Sequence, residues 1–392
     1  ERFTLTSTGE PQCEQRQSTP SAISIASSAS AALLAWSESV AETSTGQVWT
    51  RFYPVAGGSP ITPTQNVVTG SAGLQRFPRI ERTPDGLQVR WTEPALASRL
   101  VSATLTTRGE LTAMSTISAP SATLLSNVRM RTARGAAGTL SVWSQSNVVR
   151  AQLAHDDGSV EPPFTIGNGN DPDIATDGTQ WLVIWQTNDL IPQIASTIVT
   201  SDLGVVSPDD SLLARSDTKQ TLGAVMSRGS DYLVVWNETS VVKAITVSTS
   251  GNPGDKVLDL TASRGVIEEL QVAASGNAYL VVAQNEVGDI AFPATQPARD
   301  IFVAGVAADQ PWRVRGFDGG FALLEGSPIR IRYIDRLGAD RAGGSLPTAV
   351  SDFDFVYDGP RLFLAYEQSD GYLSSNLFLD IFGPRVRPAG MR

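Results

Sequence analysis

Five tryptophans constrain this chain more than any other feature, because each closes the same short apolar run: "AALLAW" at Trp36, "GLQVRW" at Trp91, "GTLSVW" at Trp143, "QWLVIW" at Trp185 and "DYLVVW" at Trp236. Three weaker copies follow, with Ala283, Glu325 and Tyr366 in place of the tryptophan. The eight anchors stand 41 to 55 residues apart, a period at which a repeated unit implies a propeller or a solenoid. An apolar residue recurs eleven positions before the anchor, at Ile25, Ile80, Ile174, Val225, Val272, Val314 and Phe355. The third copy departs: Met130 lies thirteen before Trp143, which predicts a turn lengthened by two residues in "RGAAG".

Within each unit the runs are short, rich in Val, Ile, Leu, Thr and aromatics, and bounded by Gly, Asp, Asn or Pro, which is strand chemistry. No stretch keeps a helical period. A third and a fourth run follow each anchor, so the economical unit is four antiparallel strands. Such a sheet is apolar on both faces and must stack on a neighbour, and the row of sheets must close or be capped. Closure gives an all-β fold, an eight-bladed β-propeller of four-stranded antiparallel blades. The units span roughly 20–70, 75–118, 126–167, 171–214, 221–261, 268–304, 311–347 and 352–392 of a single domain 1–392. The last lacks a convincing fourth strand, and Phe3 to Ser7 is expected to supply it and lock the ring; the likeness of "FTLTSTGE" to "ATLTTRGE" leaves another place in the blade open.

A ring of many small cores suits 392 residues, since single cores stop growing near roughly 250–300. Net charge −10 argues against non-specific attraction to nucleic acid or anionic membranes. No apolar run approaches the roughly 20 residues of a membrane span. One cysteine, Cys13, and one histidine, His155, exclude an intrachain disulfide, a thiolate cluster and a multi-histidine zinc site. A chain starting at Glu1 without Met reads as processed or excised.

The pattern P-x-I-A-x-D-G, then LVVW, then I-x-V-x-x-x-G, best kept in "PDIATDGTQWLVIW" and "DYLVVWNET", resembles the repeat arrays of bacterial secreted propeller-like proteins. The resemblance covers nearly the whole sequence. It implies an extracellular or periplasmic setting and carries no single activity.

The first strand of each blade lines the central channel, so residues beside its apolar position are the candidate ligand contacts: Arg79, Glu81, Arg129, Arg131, Asp173, Arg313, Arg315 and Asp354. Paired arginines suit carboxylate, sulfate or phosphate groups; the competing reading pairs them with Glu81, Asp173 and Asp354 in a wet channel wall. Asp171, Asp173 and Asp177 are weak calcium candidates, oxygen ligands without the full calcium-loop order; otherwise no cofactor is expected. A glycosidase would need two facing carboxylates, for which only Glu81, Asp173 and Asp354 qualify. Arg79, Arg129 and Arg313 imitate a sialidase triad numerically, but the S-x-D-x-G-x-T-W box is absent. His155 sits in "AHDDGSV", a turn between outer strands and a poor place for a Ser-His-Asp arrangement. Trp49, Phe52 and Tyr53 suggest a contact patch for a partner or sugar, or packing against the next blade. Asn237 matches a glycosylation sequon.

Together these point to a secreted binding or scaffold module with a protein or glycan partner, without nucleic-acid binding or membrane insertion. A structural subunit of a surface assembly and a glycan-active hydrolase or lyase are the alternatives.

Overall fold

The computed structural model describes residues 2–5, 18–28, 31–40, 46–54, 65–66, 75–83, 86–93, 99–106, 110–118, 131–206, 212–263, 266–285, 290–291, 300–307, 311–341, 343–346, 350, 352–358, 361–369 and 375–382. Every element among them is a strand, and the strands fall into sheets in chain order. The inner strands are Ser18–Ser27, Arg76–Thr83, Arg131–Gly135, Asn170–Thr176, Gln220–Ser227, Ile267–Ser275, Trp312–Phe317 and Asp352–Asp358. They head the first to eighth sheets, and contacts between neighbouring sheets run round a ring from the last sheet back to the first. The chain is an all-β propeller.

Local sequence explains the hairpins. In every sheet the residue eleven before the anchor pairs with the residue two before it: Ile25 with Leu34, Ile80 with Val89, Ile174 with Val183, Val225 with Val234, Val272 with Val281, Val314 with Leu323 and Phe355 with Leu364. The third sheet obeys the same register, with Thr132 opposite Ser141 and a turn of two residues between Gly135 and Gly138. The expected two-residue lengthening is therefore corrected. The position is occupied by a polar residue, Thr132, and Met130, two residues earlier, lies outside the described residues.

The expectation of eight like blades of four antiparallel strands is also corrected. Seven sheets are antiparallel throughout, whereas that of 267–307 has three strands, with Ile301–Ala307 pairing parallel to Ala278–Asn285. A parallel partner needs a crossover rather than a tight turn. Between these two strands in sequence, Ile290–Ala291 pairs at the edge of the fifth sheet. At the chain ends Arg2–Leu5 pairs antiparallel with Ser375–Phe382 as the outermost strand of the eighth sheet, so the N-terminal segment takes the fourth place.

Seven apolar clusters bind neighbouring sheets. The anchors Trp36, Trp91, Trp185, Trp236 and Tyr366 are buried in them against the preceding sheet. Phe52 and Tyr53 are wholly buried, which corrects their reading as a surface patch. The junction between the second and third sheets has no such cluster among the described residues. There Arg90, Gln88, Ser141, Thr139 and Gln152 are buried, and the Thr132 hydroxyl donates to Glu81 at 2.5 Å. Trp143 alone among the anchor tryptophans faces a polar wall.

Candidate functional site

Inner strands are tied to one another by side chains just ahead of the repeated apolar position. Asp354 Oδ2 accepts the Ile25 amide at 3.1 Å, Ser24 Oγ the Ile80 amide at 3.1 Å and Asp173 Oδ2 the Val225 amide at 3.0 Å. Two residues before Asp354, Asp352 Oδ2 accepts the Ile23 amide at 3.1 Å. Each latch joins one sheet to the next, and a carboxylate acceptor makes it stronger than a neutral bond. The remaining carboxylate oxygens face cations: Arg315 lies 3.1 Å from Asp354, Arg313 3.3 Å from Asp352 and Arg131 3.8 Å from Asp173.

The sequence-derived site residues therefore separate into groups. Arg79 is exposed on the channel wall, within the fields of Asp352, Asp354, Arg313 and Arg315. Crowding by protein draws its guanidinium below the usual range, Asp354 opposing this and the two arginines adding to it. Arg131 and Asp173 form a second group further round the ring. Glu81 leaves the channel altogether: its carboxylate takes both guanidinium branches of Arg90 at 3.1 and 2.9 Å in the junction between the second and third sheets. Arg129, like Cys13, lies outside the described residues. With the register corrected, Arg131 rather than Arg129 holds the equivalent place in the third sheet.

A cavity of about 130 Å³ opens where the inner strands of the third to sixth sheets begin, lined by Arg131, Asp171, Pro172, Asp173, Leu222, Gly223, Glu268, Glu269 and Leu270. Its walls follow from backbone irregularities at one level of three sheets, between Asn170 and Asp173, Thr221 and Ala224, and Ile267 and Glu269. A bulge leaves residues unpaired and re-aims their side chains. Asp171 and Leu222, at matching positions, hold φ of 48° and 56°, a conformation that costs L-residues free energy and persists where surroundings impose it. Four carboxylates and one guanidinium meet at this mouth, so it offers acceptors to hydroxyl or ammonium groups. Burial raises the Asp173 carboxyl above its ordinary range against the opposing pull of Arg131 and the Val225 amide.

The three calcium candidates are not gathered. Asp171 and Asp173 line the cavity, but Asp177 lies beyond the far end of Asn170–Thr176, about 13 Å along the strand from Asp173. Its Oδ1 accepts the Thr179 amide and hydroxyl, each at 2.8 Å, and the Gln180 amide at 3.0 Å, closing a turn. Among the described residues no three acidic, His or Cys side chains are placed to hold a metal. His155 bridges the Ala137 carbonyl and Glu161 on an outer turn. Asn237 is half-buried and donates to the Thr221 hydroxyl.

Sequence reading missed a second interblade device. Gln75 Oε1 accepts the Val48 amide at 2.8 Å while its amide group donates to Glu93, which also accepts Trp91 Nε1. Gln220, Ile194, Glu238 and Trp236 repeat the arrangement. A Gln sixteen before the anchor and a Glu two after it was a legible signal in both units. Asp352, Glu268 and Glu269 carried no comparable mark.

No family model matches the sequence, and no curated protein matches it. Solved structures do. The propeller of Dos1 aligns over 97% of this chain and 94% of its own, at TM-score 0.53 and 9% identity. The polysaccharide lyase Uly1 aligns over 92% and 89%, at TM-score 0.50 and 8% identity. A prolyl endopeptidase aligns over 91% of this chain and 54% of its own, at TM-score 0.50 and 12% identity. At these identities the likeness defines the class by fold alone, a β-propeller.

Proposed function

We propose that this chain is a non-catalytic binding or scaffold module of a bacterial secreted protein, working outside the cell or in the periplasm. It presents a rigid ring and a channel mouth to a protein or glycan partner. One observation carries this reading: the three carboxylates beside the repeated apolar positions, Asp354, Asp173 and Glu81, are each engaged by groups of the protein itself. Asp354 and Asp173 accept amides of the following sheet, and Glu81 is clamped by Arg90. A general acid or nucleophile must instead face substrate.

The cavity of Arg131, Asp171, Asp173, Glu268 and Glu269 is the contact proposed for a hydroxyl- or ammonium-bearing group of the partner. Glu268 and Asp171 are exposed and form none of the latches. The test is binding of the wild-type chain to an array of glycans and peptides, repeated with Glu268→Gln/Glu269→Gln. Retained fold with at least tenfold weaker binding is expected. Turnover of an oligosaccharide, abolished by the same pair, would replace this reading with the hydrolase or lyase one.

A further inference from the structure

We propose that the junction between the second and third sheets is a hydrated joint: ordered water bridges its two polar faces, and small polar solutes enter the ring there. The third sheet turns its apolar residues, Leu140, Val142, Val149, Ala151 and Leu153, toward the fourth. The opposite face carries Thr132, Thr139, Ser141 and Trp143, with Arg150 and Gln152 as the cross-strand partners of Trp143 and Ser141. That face meets Glu81, Gln88 and Arg90 of the second sheet, located by the Thr132 to Glu81 hydrogen bond.

Five polar atoms on this one face are buried without a protein partner: Thr139 Oγ1, Ser141 Oγ, Trp143 Nε1, Arg150 Nε and Gln152 Oε1. Buried polar atoms in folded proteins are nearly always bonded, to protein or to ordered water. Clustered donors and acceptors without protein partners mark where water sits, since a water needs two to four such groups. Ser141 and Gln152 face each other directly, and Thr139 lies two residues along the same strand, so one water can serve neighbouring groups. Arg90 and Gln88 opposite are already paired with Glu81 and Thr104, which leaves the third sheet's groups to the solvent file. Among the described residues every other junction is sealed by an apolar cluster, and this one is not.

The test uses two matched cysteines. Ser141 and Val183 occupy the same register position in adjacent sheets, and both are 0% exposed. Ser141 faces the polar junction and Val183 an apolar one. In a Cys13→Ser background, Ser141→Cys is expected to react with iodoacetamide at least tenfold faster than Val183→Cys in native buffer. Equal or slower reaction overturns the proposal. Should either variant fail to fold, Thr139→Val decides: loss of a water shared with Ser141 and Gln152 lowers the melting temperature. An unchanged or higher melting temperature, the result for a dry junction with an idle hydroxyl, overturns it.

Discussion

Asp354 Oδ2 accepts the amide of Ile25 at 3.1 Å across 329 positions of sequence. This bond joins the last sheet to the first, at the place where the ring has no short connection to hold it. Arg315 secures the other oxygen, so a nearly fully buried carboxylate has both of its oxygens engaged.

Asp354→Ala is expected to destabilise the protein by about 1–3 kcal/mol, because the Ile25 amide loses its acceptor inside the structure. Asp173→Ala acts in the same way on Val225, and deletion of residues 1–10 removes Arg2–Leu5 from the eighth sheet. Urea unfolding reads all three. Unchanged midpoints would show that the latches and the terminal strand contribute nothing to closure.

Arg90 and Glu81 form the paired charges of the polar junction. Removing the Glu81 charge leaves Arg90 buried and uncompensated, so Glu81→Gln should cost about 3–5 kcal/mol, and Arg90→Met, which leaves a half-buried carboxylate, less. The double variant Glu81→Met/Arg90→Met is expected to cost clearly less than the sum. A double-mutant cycle in chemical denaturation measures this coupling.

Glu238 gives a pH signature. Burial would raise its carboxyl, but Lys243, Trp236, Ser216 and Gln220 all donate to it and bring it from 4.5 down to about 2. A depressed folded-state value contributes stability above pH 4.5 that disappears as pH falls toward 2, on the order of 3 kcal/mol. Glu238→Gln should flatten the loss of stability across that interval, checked by thermal melts at stepped pH.

Gly316 and Gly344 make a contrasting pair. A Cβ on Gly316 would collide with the Ala274 carbonyl of the neighbouring inner strand, whereas Gly344 has open space. Overpacking of this kind costs about 1–3 kcal/mol, and an unhindered surface change stays within about 0.5 kcal/mol. Differential scanning calorimetry of Gly316→Ala and Gly344→Ala should separate them clearly.

Hairpins were legible in the residues because both partners lie within about a dozen positions. Ile174 opposite Val183, two residues before Trp185, repeats as a pattern that one can count. Even the third sheet keeps that count, and only its polarity hid it. The parallel pairing of Ile301–Ala307 was harder to foresee: the strand is as apolar as an antiparallel partner would be, and composition does not encode direction.

The linear order of residues settled the β class, the anchor positions and the need for sheets to stack, since period and hydrophobic pattern are local properties. Which carboxylates became latches, which arginine met which acid, and where the ring turned polar depended on the facing surface of the next sheet. Glu81 shows why: whether it lines a channel or clamps Arg90 depends on the third sheet placing Thr132 beside it. A side chain's chemistry is its own, but its dielectric surroundings and its partner are supplied by residues far away in sequence.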